Sequence, residues 1–88
     1  MQRHIIHLLG NPVRVQLLCC LTNGAKNVQD LVHVCGLAQS AVSQHLAKLR
    51  KGGVVQAERS GRYIYYRLSD KRFGQLATIL KDIDREAN

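Results

Sequence analysis

The stretch LAQSAVSQHLAKLRKGGVV, residues 37–55, keeps Val42, Leu46 and Leu49 on one narrow stripe and sets Ser40, Ser43, Gln44, Ala47, Lys48 and Lys51 on the opposite side. At about 100° per residue, that division is the pattern of a helix with one buried edge and one solvent-facing edge. The pattern stops at Gly52-Gly53, a pair that ends a helix and lets the chain turn. The outer edge is small, polar and basic. Glutamine and serine hydrogen-bond base edges, a small alanine permits close approach, and lysines pair with phosphates, so these residue types suit a helix laid in the major groove of DNA.

The flanking sequence supplies the scaffold such a helix needs. Asn27 caps a helix predicted over about 28–35, in which Val28, Leu31, Val32 and Cys35 follow the i, i+3, i+4, i+7 spacing of a buried stripe, and Gly36 closes it. Only a few residues then separate it from the quoted helix, which forces the sharp corner of a helix-turn-helix. Further upstream, Asn11 caps and Pro12 opens a helix over about 12–22, ended by Asn23-Gly24. A short apolar helix over about 2–9 offers Ile5, Ile6, Leu8 and Leu9 and is too short to be stable alone.

Downstream, VVQAE (54–58) and RYIYYRL (62–68) read as two strands joined at Ser60-Gly61. Ile64, Tyr66 and Leu68 share one face of the second strand, and Tyr63, Tyr65 and Arg67 the other. Ser69 or Asp70 starts a last helix with Phe73, Leu76, Ala77, Leu80 and Ile83 in helical register. The fold expected is mainly α with a β-hairpin wing, a winged helix-turn-helix.

With 88 residues the chain reads as one domain, 1–88, which buries only roughly 60–65% of the surface of its unfolded form. Hydrophobic residues make up 45% of it, more than so thin a core hides, and a second copy of the chain is the natural cover. The net charge of +7 is unevenly spread. Residues 38–72 carry eight cations, Lys48, Arg50, Lys51, Arg59, Arg62, Arg67, Lys71 and Arg72, against Glu58 and Asp70, a net +6. So concentrated a charge marks a polyanion-binding unit and speaks against a winged helix that only binds protein. The candidate DNA contacts are Gln39, Ser40, Ser43, Gln44, His45, Lys48 and Lys51 on the helix, with Arg59, Arg62 and Tyr63 on the wing. No apolar run approaches the ~20 residues of a membrane span and no signal peptide is evident, so the chain reads as cytoplasmic. Its three cysteines do not make a disulfide framework and are expected as thiols.

DLVHVCGLAQSAVSQHLAKLRKGGVV followed by SGRYIYYRL, with LGNPVRVQLL before them, resembles the ArsR/SmtB family of winged-helix transcriptional repressors over nearly the whole chain, from Leu9 to about Leu80. The resemblance implies a homodimer built from the first and last helices. It implies binding to double-stranded DNA at an inverted-repeat operator, with release by a metal ion or another chemical signal. Metal sensors of the family carry a run resembling C-V-C-D-L-C, and here the matching positions are Asn27, Gln29 and Val32. A second family site on the last helix is matched by Asp70, Arg72, Ile83 and Glu86, where two ligands are missing. Neither donor set is complete.

The sulfide- and redox-responsive branch of the family resembles LLCCL (17–21), with a cysteine matching Cys19, but pairs it with one near the end of the last helix, where this chain has Arg85. By helical phase Cys19 lies nearly opposite Leu17 and Leu21 and is expected to point away from its own core, toward the dimer helices. Cys20 lies beside Leu17 and Val13 on the flank of the core face, and Cys35 lies on the buried stripe, both as packing residues. A bond between Cys19 and Cys20 would strain a helical backbone. His4 and His7, one helical turn apart, are the metal candidates and lack a third donor. His33 is expected on the surface, and His45 either braces the recognition helix or bonds a phosphate. The sequence specifies no cofactor, and a metal ion or a thiol modification is the candidate inducer. A thiol enzyme with Cys19 as nucleophile is disfavoured, since no residue is placed to orient a base. A thiol-sensing repressor acting through Cys19 and Cys20, and a protein-binding winged helix, stay as alternatives.

Overall fold

The computed structural model describes residues 4–87. The order is α1 (His4–Leu9), α2 (Pro12–Cys20), α3 (Val28–Cys35), α4 (Gln39–Lys51), β1 (Val55–Ser60), β2 (Tyr63–Leu68) and α5 (Lys71–Glu86). The helix starts have local causes. Asn11 Oδ1 accepts from the backbone N–H of Val13 and Arg14 at 2.9 and 3.1 Å, so α2 begins where Pro12 can lead it. Asn27 and Asp30 cap α3 reciprocally, and Gly36 ends it in the left-handed region at φ 69°. Asp70, rather than Ser69, caps α5 by accepting from the Arg72 N–H at 2.8 Å.

Several boundaries differ from the sequence reading by one or two residues. The second helix stops at Cys20 instead of running to 22, because the Leu21 N–H is shared between the Leu17 and Leu18 carbonyls and the Thr22 hydroxyl donates back to the Cys19 carbonyl at 2.7 Å. The first strand begins at Val55 rather than Val54, whose N–H still bonds the Leu49 carbonyl at 2.9 Å and completes the exit from α4. The antiparallel register pairs Val55 with Leu68 through to Ser60 with Tyr63, leaving Gly61-Arg62 as the turn, one residue later than expected. Gly61 sits there at φ 64°, which a side chain resists. Residues 2 and 3 of the expected first helix lie outside the described residues.

The core lies where α2, α3, α4 and the start of β1 converge. Leu17, Leu18, Leu31, Val42, Leu46, Leu49 and Val54 have no exposed surface there. Tyr66, Leu68 and Phe73 close its edge. Across α2 lies α5, which comes close because Gly74 has no side chain. A Cβ at that position would stand 2.5 Å from Thr22 Cγ2 and 2.8 Å from Leu68 Cδ1. Outside the core, the loop between α2 and α3 pairs with the wing. The Lys26 N–H donates to the Tyr66 carbonyl at 3.0 Å and the Tyr66 N–H to the Lys26 carbonyl at 2.8 Å.

On its other side α5 is uncovered. Leu76, Ile79, Leu80 and Ile83 are 36–58% exposed, and on α1 Ile6 is 67% exposed. The α5 residues follow the i, i+3, i+4, i+7 spacing, so they form one apolar stripe. Among the described residues no helix is long and apolar enough to cross a membrane.

Candidate nucleic-acid interface

Three residues, Gly36 to Ala38, separate α3 from α4 and make the corner of the helix-turn-helix. Val42, Leu46 and Leu49 hold α4 down. Its other side stands clear, with Gln39, Ser40, Ser43, Gln44, Ala47, Lys48 and Lys51 all exposed. The thirteen residues extend about 20 Å at 1.5 Å per residue, a length suited to a major groove. Lys48, Arg50 and Lys51 occupy the last turn, where cations also suit the negative end of the helix dipole.

The wing projects beside this face. Arg59 and Arg62 are exposed and have no side-chain partner among the described residues, whereas Arg67 donates to Glu58 Oε1 at 3.0 Å and to Gln56 Oε1 at 2.8 Å across the strands. The wing therefore keeps its tip cations available and ties down the one nearer its base. Tyr63 is 42% exposed and stacks edge to face on Tyr65, centroids 6.3 Å apart.

His45 is half-buried, and its Nδ1 accepts a hydrogen bond from Arg14 Nε at 3.2 Å. Of the two roles open to it, the structure gives it the brace between α2 and α4. Sequence reasoning named no partner, because Arg14 lies 31 residues away and only the packing of α2 on α4 brings it near. Desolvation, then the charges of Arg14 and Lys48, push the His45 imidazole below its usual value. An imidazole favoured as neutral adds stability that is full above the unfolded-state pKa near 6.5 and is lost as pH falls through the lower folded-state value. In urea titrations from pH 7.5 to 4.5, wild type minus His45→Asn should show that loss on acidification; a difference independent of pH would contradict it.

One cysteine is arranged otherwise than helical phase implied. Cys19 does not point away from the core but packs half-buried against it, roofed by its own α5 near Thr78, Lys81 and Asp82. Burial raises its thiol pKa, although the Thr78 hydrogen bond and the Lys81 charge pull the other way. Cys20 and Cys35 are half-buried packing residues as expected, and burial, with Cys20 nearby, pushes the Cys35 thiol up to about 12. His33 is exposed. His7 is exposed too and lines a cleft with Leu8, Lys48, Lys51 and Gly52, while the His4 side chain lies outside what the structure describes. Asp70 is bonded to the Arg72 guanidinium, which with the α5 cap holds its carboxyl down to about 2. Among the described residues no three His, Cys, Asp or Glu side chains gather in a way that would hold a metal ion.

This geometry agrees with comparisons to known proteins. Residues 11–57 match the model of the bacterial regulatory protein arsR family. The chain is 35% identical over 80 residues to the biofilm growth-associated repressor of Xylella fastidiosa, covering 91% of this chain and 70% of that protein. The crystal structure of the transcriptional repressor BigR from Xylella fastidiosa superposes with a TM-score of 0.78 at 36% identity, over 89% of this chain and 80% of that one. The solution structure of a homodimeric winged helix-turn-helix DNA-binding domain from Mycobacterium bovis matches with a TM-score of 0.70 at 26% identity, over 93% and 80%. With its capped helices, its exposed basic α4 and its hairpin wing, the chain belongs to the arsR family of bacterial transcriptional regulators, winged helix-turn-helix proteins that bind DNA.

Proposed function

We propose that this chain is a cytoplasmic, non-enzymatic repressor that binds an inverted-repeat operator as a homodimer joined through α1 and α5, and that leaves it on a chemical signal. One observation carries the reading: α4 is anchored by three fully buried residues and turns an unbroken polar and basic face outward, next to the free arginines of the wing. In this reading Ser40, Ser43 and Gln44 meet base edges. Gln39, Lys48 and Lys51 hold phosphates at the two ends of the helix, and Arg59, Arg62 and Tyr63 hold the neighbouring backbone. His45 acts from behind, keeping α4 at its angle to α2.

The two sets of contacts separate in a binding titration run at low and high salt. Gln44→Ala should weaken the specific duplex by about 1–3 kcal/mol and relax base preference at one position, with the salt slope unchanged. Arg62→Ala should weaken specific and random duplexes alike and reduce the salt slope by about one counterion. Unchanged specific affinity in Gln44→Ala would remove α4 from base readout.

The signal is a metal ion or a modification of a thiol. Persulfide or peroxide chemistry at Cys19 is disfavoured by its place under α5 and its raised pKa, because the thiolate is the reactive form. Polysulfide treatment lowering DNA affinity in wild type but not in Cys19→Ser would restore that route.

A further inference from the structure

Arg14, in the first turn of α2, donates its Nε–H to His45 Nδ1 on α4 at 3.2 Å. We propose that Arg14 is a further DNA-contacting residue, holding with Lys48 the backbone phosphates on the side of α4 away from the wing. The inference rests on the DNA-binding reading and adds a residue to it. A guanidinium carries five N–H donors, and the bond to His45 uses one. Among the described residues nothing accepts from the other four, and no carboxylate pairs with Arg14 or with Lys48. Lys48 stands three residues after His45, which sets the two side by side on the helix surface. Arg14 and Lys48 therefore flank one imidazole, two cations with no protein counter-charge among the described residues. Such a pair repels itself, and a polyanion is the counter-charge that makes it favourable.

The two flanks of α4 have different neighbours. Lys48 and Arg50 are two residues apart, about 200° around the helix, and so face opposite ways. Arg50 lines a cleft against the base of the wing, with Gly53, Ala57 and Arg67. Lys48 lines another with His7 and Leu8 of α1, and His45 brings Arg14 to the same flank. A major groove is about 12 Å wide and bordered by a sugar–phosphate strand on each side, so a helix lying in it brings both flanks to a backbone. The wing arginines serve one strand. Arg14 and Lys48 serve the other, and the Nε bond to His45 leaves both Nη groups, an end-on pair of donors suited to a phosphate, unspent.

The test is fluorescence anisotropy of a random-sequence duplex titrated with the full chain over a range of salt concentrations. Arg14→Gln should lower the slope of log affinity against log salt by about one for each bound protomer. Arg14→Lys, which keeps the charge without the fork, should recover most of that slope. His45→Leu, which deletes the acceptor and leaves the Arg14 charge, should weaken the duplex while keeping the slope; a brace alone predicts that it behaves like Arg14→Gln. Circular dichroism checks that each variant folds. Independent of any variant, the Arg14 side-chain NMR signals of wild type should shift on adding duplex, and those of Arg85 on α5 should not. An unchanged slope in Arg14→Gln, a slope as low in Arg14→Lys or His45→Leu, or unmoved Arg14 signals would each overturn the contact and leave the DNA-binding reading standing. Wild type whose duplex affinity is independent of salt would overturn both.

Discussion

Ile83→Glu is expected to abolish the dimer and, with it, tight binding to an inverted repeat. Ile83 is 58% exposed on the protomer and belongs to the apolar stripe of α5, so a carboxylate there leaves the protomer core untouched and puts a charge into the surface that two copies would share. Two joined half-site readers gain about 10²–10⁴ in affinity over one through effective concentration alone. The variant should therefore sediment as a folded monomer at micromolar concentration and lose at least ~100-fold affinity for the full operator. Its circular dichroism should match wild type. A dimeric Ile83→Glu protein, or a monomeric one that still holds the full repeat, would place the dimer contact elsewhere.

Leu46→Ala should produce the largest loss of protomer stability. The side chain is fully buried in the middle of α4, between Val42 and Leu49, and its removal leaves a cavity in a core that is thin to begin with. The expected cost is about 2–5 kcal/mol, against a total stability for small domains of about 5–15 kcal/mol. At a fixed protein concentration the melting temperature should fall by at least ~10 °C. Ser43→Ala, on the exposed side of the same helix, should stay within about 0.5 kcal/mol of wild type while weakening the duplex. A loss below about 1 kcal/mol for Leu46→Ala would mean that α4 is not anchored where the core places it.

The legible parts of this molecule are those whose causes are local. Asn11-Pro12, Asn27 and Gly36 are caps that act over a few residues, and the structure keeps each of them. The α4 stripe was readable for the same reason, since helical phase is a property of consecutive residues. What escaped the sequence depends on how helices pack. Helical phase put Cys19 on the side of α2 away from the core, but α5 of the same chain lies over that side and draws it into the packing, and nothing in residues 12–20 indicates that. The Arg14–His45 brace likewise needs the angle between helices, which no motif encodes. Arg67 looked like one more wing cation until cross-strand register set it against Glu58 and Gln56.

The backbone pairing of Lys26 with Tyr66 has a consequence for how DNA is released. Each of these residues both donates to and accepts from the other, so the base of the wing is tied to the segment that leads into α3. The reading head is in effect a jig: the root of the wing is clamped to the loop that leads into the helix-turn-helix, so the two are carried together. On the proposed reading, a signal that ends binding is expected to act on the spacing between two such heads rather than on the head itself. Hydrogen exchange should register this as slow, ligand-independent exchange at the amides of Lys26 and Tyr66, with the signal-dependent changes gathered along α1 and α5.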